Sequence, residues 1–137
     1  MQDQLKEVRA IFESHLDRLQ KQGHESAIRF ETYTVDGNAG RDAWKDQNTL
    51  KLRSRREGNA LMLEWYRRKW TRDGDGKRGT LHTYIRKRNT GKSGSVYSYD
   101  LDDLFKYAPE WSRAMVIEIE KEASTLRRQR RRRRCSA

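Results

Sequence analysis

Apolar and basic side chains alternate through residues 49–88, and glycine-rich turns divide this stretch into short segments. Residues 49–56 place leucines on one side and cations on the other, as expected for a strand with one packed face. The turn signal around Gly58 leads into a second strand predicted over 60–70. Because parallel strands need long crossovers, consecutive strands joined by such turns predict an antiparallel meander.

Two more glycine-rich segments extend this pattern. Residues 72–79 predict a turn into a strand over 81–88, and residues 89–94 predict a hairpin loop that leads to a strand over 96–101. Apolar residues over 28–35 predict one further strand ahead of these. The sequence therefore predicts a sheet of about 4–5 strands.

Helical periodicity appears at both ends of the chain. The N-terminal segment predicts an amphipathic helix that ends near Gly23, with apolar residues at spacings of three and four. These residues are Leu5, Val8, Phe12, Leu16 and Leu19. This stripe packs either on the sheet of its own chain or on the helix of a second subunit. Near the C-terminus, a short helix that starts at Leu101 ends before Pro109, and a second apolar stripe predicts a helix over 110–126.

These elements together predict an α+β protein with an N-terminal amphipathic helix, an antiparallel meander, C-terminal helices and a disordered Arg-rich tail. Residues 1–126 are expected to form a single α+β domain, because a chain of 137 residues favours one core. Residues 127–137 are expected to form a basic flexible tail, because like charges this close together repel and bury nothing.

The basic charge is concentrated in two parts of the chain. Residues 49–99 contain 14 Lys and Arg against 4 Asp and Glu, and residues 127–137 contain 7 against none. Residues 1–48 and 100–126 are mildly acidic, so the formal net charge of +11 arises from the predicted sheet and tail. Cations aligned along a duplex release its condensed counterions, and nucleic acid is therefore the expected partner.

The sequence argues against catalysis and metal binding. Its three histidines lack the spacing of a metal site, and the single Cys135 cannot build a zinc cluster. No GxxxxGK[ST] phosphate loop is present in the chain. Asp100, Asp102 and Asp103 cluster at a predicted helix start, where carboxylates favour the positive end of the helix dipole. We therefore expect these carboxylates to cap a helix, and we expect no enzyme activity, no cofactor and no metal.

The expected location is the cytoplasm. No apolar run approaches the roughly 18–20 residues that span a bilayer, and the segment MQDQLKEVRA has no signal-peptide core. A lone cysteine that cannot form an internal disulfide suits a reducing compartment. We expect a soluble protein without a membrane partner.

Aromatic and basic side chains are interleaved on the strands predicted over 60–70 and 81–88. Arginine forks pair with phosphate oxygens and read guanine edges, whereas aromatic rings stack on unpaired bases. Trp65 and Tyr66 point to opposite faces of one strand, and Trp65 is the core candidate of the two. The alternative for the arginines is that they only keep an exposed face soluble.

Three segments carry a family resemblance. They are LMLEWYRRKW at 61–70, LHTYIRKR at 81–88 and YSYDLDDLFKYAPEW at 97–111, followed by a Glu-rich helix that runs into LRR at 126–128. Together they resemble the MobI-type accessory proteins of conjugative plasmids and integrative conjugative elements. The resemblance covers about residues 48–128 and leaves out the arginine tail. The matching positions are Trp65, Tyr66, Arg67, Tyr84, Arg86, Lys87 and Trp111.

The resemblance implies a non-catalytic auxiliary factor that binds duplex DNA at an origin of transfer and helps a relaxase start mobilisation. A relaxase would need a metal-binding histidine cluster and a strand-cleaving tyrosine, and no such cluster is evident in the sequence. A direct relaxase contact and a homodimer are both left open. The expected DNA contacts are the basic residues of the strands, turns and tail, namely Lys51, Arg53, Arg55, Arg67, Arg68, Lys69, Arg72, Lys77, Arg78, Arg86, Lys87, Arg88, Lys92, Arg127, Arg128, Arg130, Arg131 and Arg132.

Other classes of function remain open at this point. A protein that binds single strands or RNA would use exposed aromatics and the arginine arm, and would bind single strands at least as tightly as duplex. A small metal-dependent nuclease would use Asp100, Asp102, Asp103 and Glu110. A further alternative is an interaction protein whose basic face docks onto an acidic partner.

Overall fold

The computed structural model describes the backbone of residues 2–72, 76, 78–87 and 97–135, with side chains except those at 44, 70–72, 78 and 130–135. The elements are helix α1 (Gln2–Asn38), a 3-10 turn (Trp44–Asp46), strands β1 (Leu50–Glu57), β2 (Ala60–Arg72) and β3 (Arg78–Tyr84), and helices α2 (Leu101–Phe105) and α3 (Glu110–Cys135). This part of the chain is an α+β protein, as the sequence predicts.

The described strands form one antiparallel sheet in the order β1-β2-β3. Strands β1 and β2 lie where the alternation places them, and Gly58 turns the chain between them with a φ of 58°. The register sets Leu52 opposite Trp65 and Tyr66 opposite Tyr84. The described sheet has three strands, so the prediction of about 4–5 is wrong.

The strand predicted over 28–35 lies inside α1, which is 37 residues long and does not end at Gly23. Gly23 lies in the middle of the helix, where a β-carbon would be 2.5 Å from Leu63 Cδ2. The glycine therefore permits a close approach of helix to sheet instead of ending the helix. Phe30 and Thr34 are buried at helical spacing, and tertiary packing decides the conformation here.

The strand predicted over 96–101 is also wrong in its described part, because residues 97–100 are irregular and α2 begins at Leu101. The backbone N–H of Tyr99 donates to a carboxylate oxygen of Glu120 at 2.6 Å instead of to a neighbouring strand. The strand predicted over 81–88 ends at Tyr84. The predicted loop over 89–94 lies outside the described residues.

Both C-terminal helices form as predicted, but the second is longer. Asp100 caps α2 by accepting a hydrogen bond from the N–H of Asp102 at 2.9 Å, which confirms its capping role. Helix α3 follows Pro109 and continues through residue 127 to Cys135. A disordered tail from residue 127 is therefore not confirmed.

The long helices pack in antiparallel orientation on one face of the sheet. Phe30 of α1 meets Trp65 of β2 edge to face with ring centroids 5.0 Å apart, and Trp65 is fully buried as predicted. Ser26 and Arg29 of α1 both hydrogen-bond to Glu122 of α3. Among the described helices, none is long and apolar enough to cross a membrane.

The apolar stripe of α1 is divided between two environments. Leu16 and Leu19 are buried against the sheet and α3 of the same chain. Leu5 and Val8 are 68% and 62% exposed, because α1 extends beyond the sheet at its N-terminal end. Phe12 is partly buried against the same hydrophobic cluster as Leu16 and Leu19, so intramolecular packing accounts for three of the five stripe residues, and pairing with a second copy stays a prediction.

Candidate nucleic-acid interface

The sheet presents one face away from its helices. Side chains alternate along the strands, and the face with Leu52 and Trp65 packs against α1 and α3. We call the opposite surface the open face. Its described side chains are Lys51, Arg53, Arg55, Glu57, Ala60, Met62, Glu64, Tyr66, Arg68, Thr80, His82 and Tyr84. These include four Lys and Arg and two carboxylates, and the face is therefore electropositive.

The cations of the open face differ in how far they are already paired. Arg55 donates to Glu64 at 2.8 Å, and this hydrogen bond is the main reason why the pKa of Arg55 is raised. Lys51 reaches over the sheet edge to Glu31 at 3.6 Å. Arg53 is exposed and donates to the hydroxyl of Tyr84 at 2.7 Å, with no carboxylate within ion-pair distance in the described part of the chain. Arg53 is thus the best-placed of these three cations for an external anion.

Three aromatic rings lie together in the middle of the open face. The ring centroid of Tyr66 is 4.8 Å from His82 and 5.6 Å from Tyr84. Tyr84 is 44% exposed and Tyr66 is half-buried. Burial raises the pKa of Tyr66, so its ring stays neutral at physiological pH. We call these three side chains the aromatic cluster.

A cleft of about 480 Å³ opens where β1 begins and β2 continues past it. Among the described residues, its lining contains four cations and four uncharged polar residues and no carboxylate. The lining residues are Asn38, Gln47, Asn48, Thr49, Lys51, Arg67, Arg68 and Lys69. A cleft of this composition suits a phosphate group.

Arg67 and Lys69 lie on the helix side of β2, not on the open face with Arg68. The guanidinium carbon of Arg67 is 4.9 Å from the ring centroid of Tyr107, and its Nε is buried without a hydrogen-bond partner among the described residues. The predicted basic strand 60–70 therefore divides its cations between two surfaces, which meet at the cleft.

Arg86 and Lys87 follow β3 in an irregular segment. Arg86 lines a second cleft, of about 340 Å³, together with Arg67 and Asp103. Lys87 is exposed overall, but partial desolvation and then the positive charge of Arg127 lower the pKa of its ammonium. The negative charge of an incoming phosphate would favour the charged ammonium and so raise this pKa.

Arg127 lies inside the protein, although the sequence predicts that it grips phosphate. Its guanidinium donates to the carbonyl of Leu63 at 2.8 Å, to the carbonyl of Tyr97 at 2.6 Å and to Glu120 at 3.1 Å. Arg127 is 7% exposed and Glu120 is 4% exposed. The guanidinium donates to a backbone carbonyl of β2 that lies beyond the end of β3, where no neighbouring strand of the described sheet pairs with it. Arg127 is therefore a structural residue and not a candidate for DNA contact.

The remaining predicted contacts are only partly described. Arg128 is exposed, and its guanidinium lies 5.6 Å from the ring of Tyr97. Arg72 and Arg78 occupy strand ends, and residues 130–132 lie on α3, with only their backbones described. Lys77, Arg88 and Lys92 lie outside the described residues.

Two of the four carboxylates considered for a nuclease have other roles in the structure. Asp100 caps α2, and Asp103 is buried with Lys106 at 3.6 Å. Within the described ranges, no group of three or more His, Cys, Asp and Glu side chains could hold a metal ion.

Sequence reasoning missed two features of this region. One is the aromatic cluster, whose third member His82 becomes apparent only when the β2–β3 register is known. The other is the buried Arg127–Glu120 pair, whose spacing of seven residues on a helix was the available signal.

The fold and this surface define a small α+β protein with two long helices on one side of an antiparallel sheet and a basic, aromatic face on the other. A family model described as MobI protein matches residues 19–134, well over half of the chain. The chain belongs to the MobI family of accessory mobilisation proteins, and the resemblance seen in the sequence is confirmed. Comparisons with curated proteins and with solved structures found no match.

Proposed function

We propose that this protein is a non-catalytic DNA-binding factor that recognises an origin of transfer and assists a relaxase in conjugative mobilisation. Membership of the MobI family supports the role in mobilisation. The observation that carries the proposal of DNA binding is the open face, where four described cations outnumber two carboxylates on a sheet whose other side is occupied by helices. These cations are Lys51, Arg53, Arg55 and Arg68.

The arrangement of these cations favours backbone contacts over base reading. Lys51, Arg53 and Arg55 lie two residues apart along β1, about 6.8 Å from one to the next, and Arg68 lies on the neighbouring strand β2. This spacing lets neighbouring side chains reach successive phosphates. Contacts of this kind set the position and salt dependence of binding, and they carry little sequence information. Recognition of a particular origin then requires a few base contacts or a dependence on DNA shape.

The cleft at the start of β1 extends the cationic surface beyond the open face. Arg68 lines the cleft and also belongs to the open face, and Arg67 approaches the same cleft from the helix side. A DNA strand that crosses the open face toward this end of the sheet would therefore meet further cations, and none of the described lining residues of the cleft is a carboxylate.

The helical C-terminal part of α3 is the second contact region in this proposal. Residues 128–134 contain six arginines on a helical backbone. An α-helix fits the major groove of B-DNA, and closely spaced arginines on it would pair with phosphates on both sides of the groove. Arg127 is excluded from this role because it is buried.

The test is a titration of purified protein against labelled duplex from the origin of transfer and a shuffled duplex, over a range of salt concentrations. The variants are Arg53→Gln and Arg68→Gln, with Arg9→Gln on the exposed face of α1 as a charge-matched control. Each open-face variant should lower the slope of log K against log salt by about 0.9 for each phosphate that the protein no longer neutralises. The control should behave as the wild type.

Two outcomes would contradict the proposal. The protein would not be a DNA-binding factor if it bound neither duplex at about 0.15 M salt, where specific complexes normally persist. The open face would not be the contact surface if Arg9→Gln weakened binding as much as Arg53→Gln. Loss of transfer in a strain without the protein, restored by the wild type and not by Arg53→Gln, would connect binding to mobilisation.

A further inference from the structure

The aromatic cluster lies at the centre of a surface that ordinarily carries polar side chains. An antiparallel sheet with one solvated face usually places apolar residues inward and polar residues outward. Here Tyr66, His82 and Tyr84 form three contacting rings on the open face, and Tyr84 is 44% exposed. Packing between cross-strand rings stabilises the sheet, but it leaves ring area in contact with solvent.

Cations surround this cluster on neighbouring strands. Lys51 of β1 is the cross-strand partner of Tyr66 in β2, and Arg68 of β2 is the cross-strand partner of His82 in β3. Arg53 holds the hydroxyl of Tyr84 at 2.7 Å, so the orientation of that ring is defined by a hydrogen bond. A ring held in this way, with cations beside it, provides a stacking surface and phosphate contacts within one nucleotide's reach.

We propose that the aromatic cluster binds unpaired bases of a DNA strand, so that the protein holds a locally melted segment; this proposal rests on the DNA-binding function above. A duplex keeps its bases stacked inside the helix and presents only phosphates and groove edges to a sheet face. An unpaired strand instead offers base faces, which stack on aromatic side chains while its phosphates pair with the flanking cations. The open face has partners for both parts of such a strand, whereas a duplex would leave the rings without a role.

The chemistry of the rings agrees with a neutral stacking site. The pKa of Tyr66 is raised mainly by burial, which keeps the phenol uncharged. The two described carboxylates of the open face, Glu57 and Glu64, are both paired with Arg55, which offsets their charge toward a strand lying across the cluster. The ligand class is therefore single-stranded DNA with its phosphates toward Arg53 and Arg68.

The experiment compares four labelled probes of one sequence by fluorescence anisotropy, using the full chain. They are a duplex, the same duplex with a central mismatched bubble, the single DNA strand and the corresponding RNA strand. The wild type should bind the bubble and the single DNA strand more tightly than the duplex. Tyr84→Leu should weaken binding of these two probes by about 5- to 100-fold, the effect of losing one stacked base, and leave duplex binding unchanged.

Tyr84→Phe is the matched control, because it keeps the ring and removes only the hydroxyl that Arg53 contacts. It should retain the preference for unpaired DNA. A 2-aminopurine placed in the bubble should be quenched by the wild type and by Tyr84→Phe, and not by Tyr84→Leu. Should Tyr84→Leu fail to fold, His82→Ala, at an exposed position of the same cluster, takes its place.

The possible results test the stacking site, the assignment to DNA and the proposed DNA-binding function separately. Equal affinity for duplex and bubble, with both unaffected by Tyr84→Leu, would overturn the stacking site and leave the proposed DNA-binding function standing. Binding of the RNA strand as tight as that of the DNA strand would overturn the assignment to DNA. Failure to bind any of the four probes would instead overturn the proposed function itself.

Discussion

Replacement of Arg127 by Ala should destabilise the fold severely while leaving the DNA-contacting surface intact. The guanidinium makes an ion pair with Glu120 at 3.1 Å and donates to the carbonyls of Leu63 and Tyr97. Removing one partner of a buried ion pair costs about 3–5 kcal/mol, because the remaining charge stays buried without compensation. Small domains are stable by only about 5–15 kcal/mol, so this loss is a large part of the total.

Glu120 has hydrogen-bond partners besides Arg127, and these partners determine how much stability each variant of the pair loses. Its carboxylate also accepts from Trp65 Nε1 at 2.9 Å and from the N–H of Tyr99 at 2.6 Å. Glu120→Gln removes the charge but keeps an oxygen acceptor for one of these donors. The double variant Arg127→Ala with Glu120→Gln should therefore be more stable than the two single losses together predict, with a coupling of about 0.5–3 kcal/mol.

The assay is urea denaturation followed by circular dichroism, with Arg128→Ala as the control. Arg128 is the next arginine along α3 and is exposed, so its replacement should change stability by no more than about 0.5 kcal/mol. The reasoning would be refuted if Arg127→Ala unfolded at the same urea concentration as the wild type and its DNA binding depended less steeply on salt. That result would mean that Arg127 faces phosphate, as the sequence alone predicts.

Two further predictions concern α1 and the core. Gly37→Ala should destabilise the protein by about 1–3 kcal/mol in urea denaturation, because the added carbon would overlap the Trp111 ring. The control is Ser14→Ala at an exposed position of the same helix, which should be neutral or slightly stabilising. Burial raises the pKa of Tyr99 above its usual 10.0, so the phenol ionises first in the unfolded chain and stability should fall as pH rises above about 10. Tyr99→Phe should reduce this fall, and an equal slope in both proteins would show that Tyr99 does not cause it.

The central hairpin was predictable because its signal is local. Alternation with period two and the glycine at position 58 determine strands β1 and β2, their pairing and the core position of Trp65. The basic character of the opposite face follows from the same alternation in β1, since Leu50 and Leu52 alternate with Lys51, Arg53 and Arg55. The α+β class and the capping role of Asp100 likewise needed only neighbouring residues.

The tertiary structure decided the features that depend on residues far apart in the chain. Residues 28–35 contain apolar side chains that satisfy strand and helix periods alike, and packing of Phe30 against Trp65 selects the helix. Gly23 is a residue type typical of helix ends, but here it lies inside α1 and lets the helix approach Leu63. Arg127 belongs by sequence to a solvated basic run, but in the fold it is buried because it donates to the backbone carbonyl of Leu63 on the unpaired edge of β2. Local pattern therefore determined where cations and rings alternate, whereas only the assembled fold determined which of them remain available to a partner.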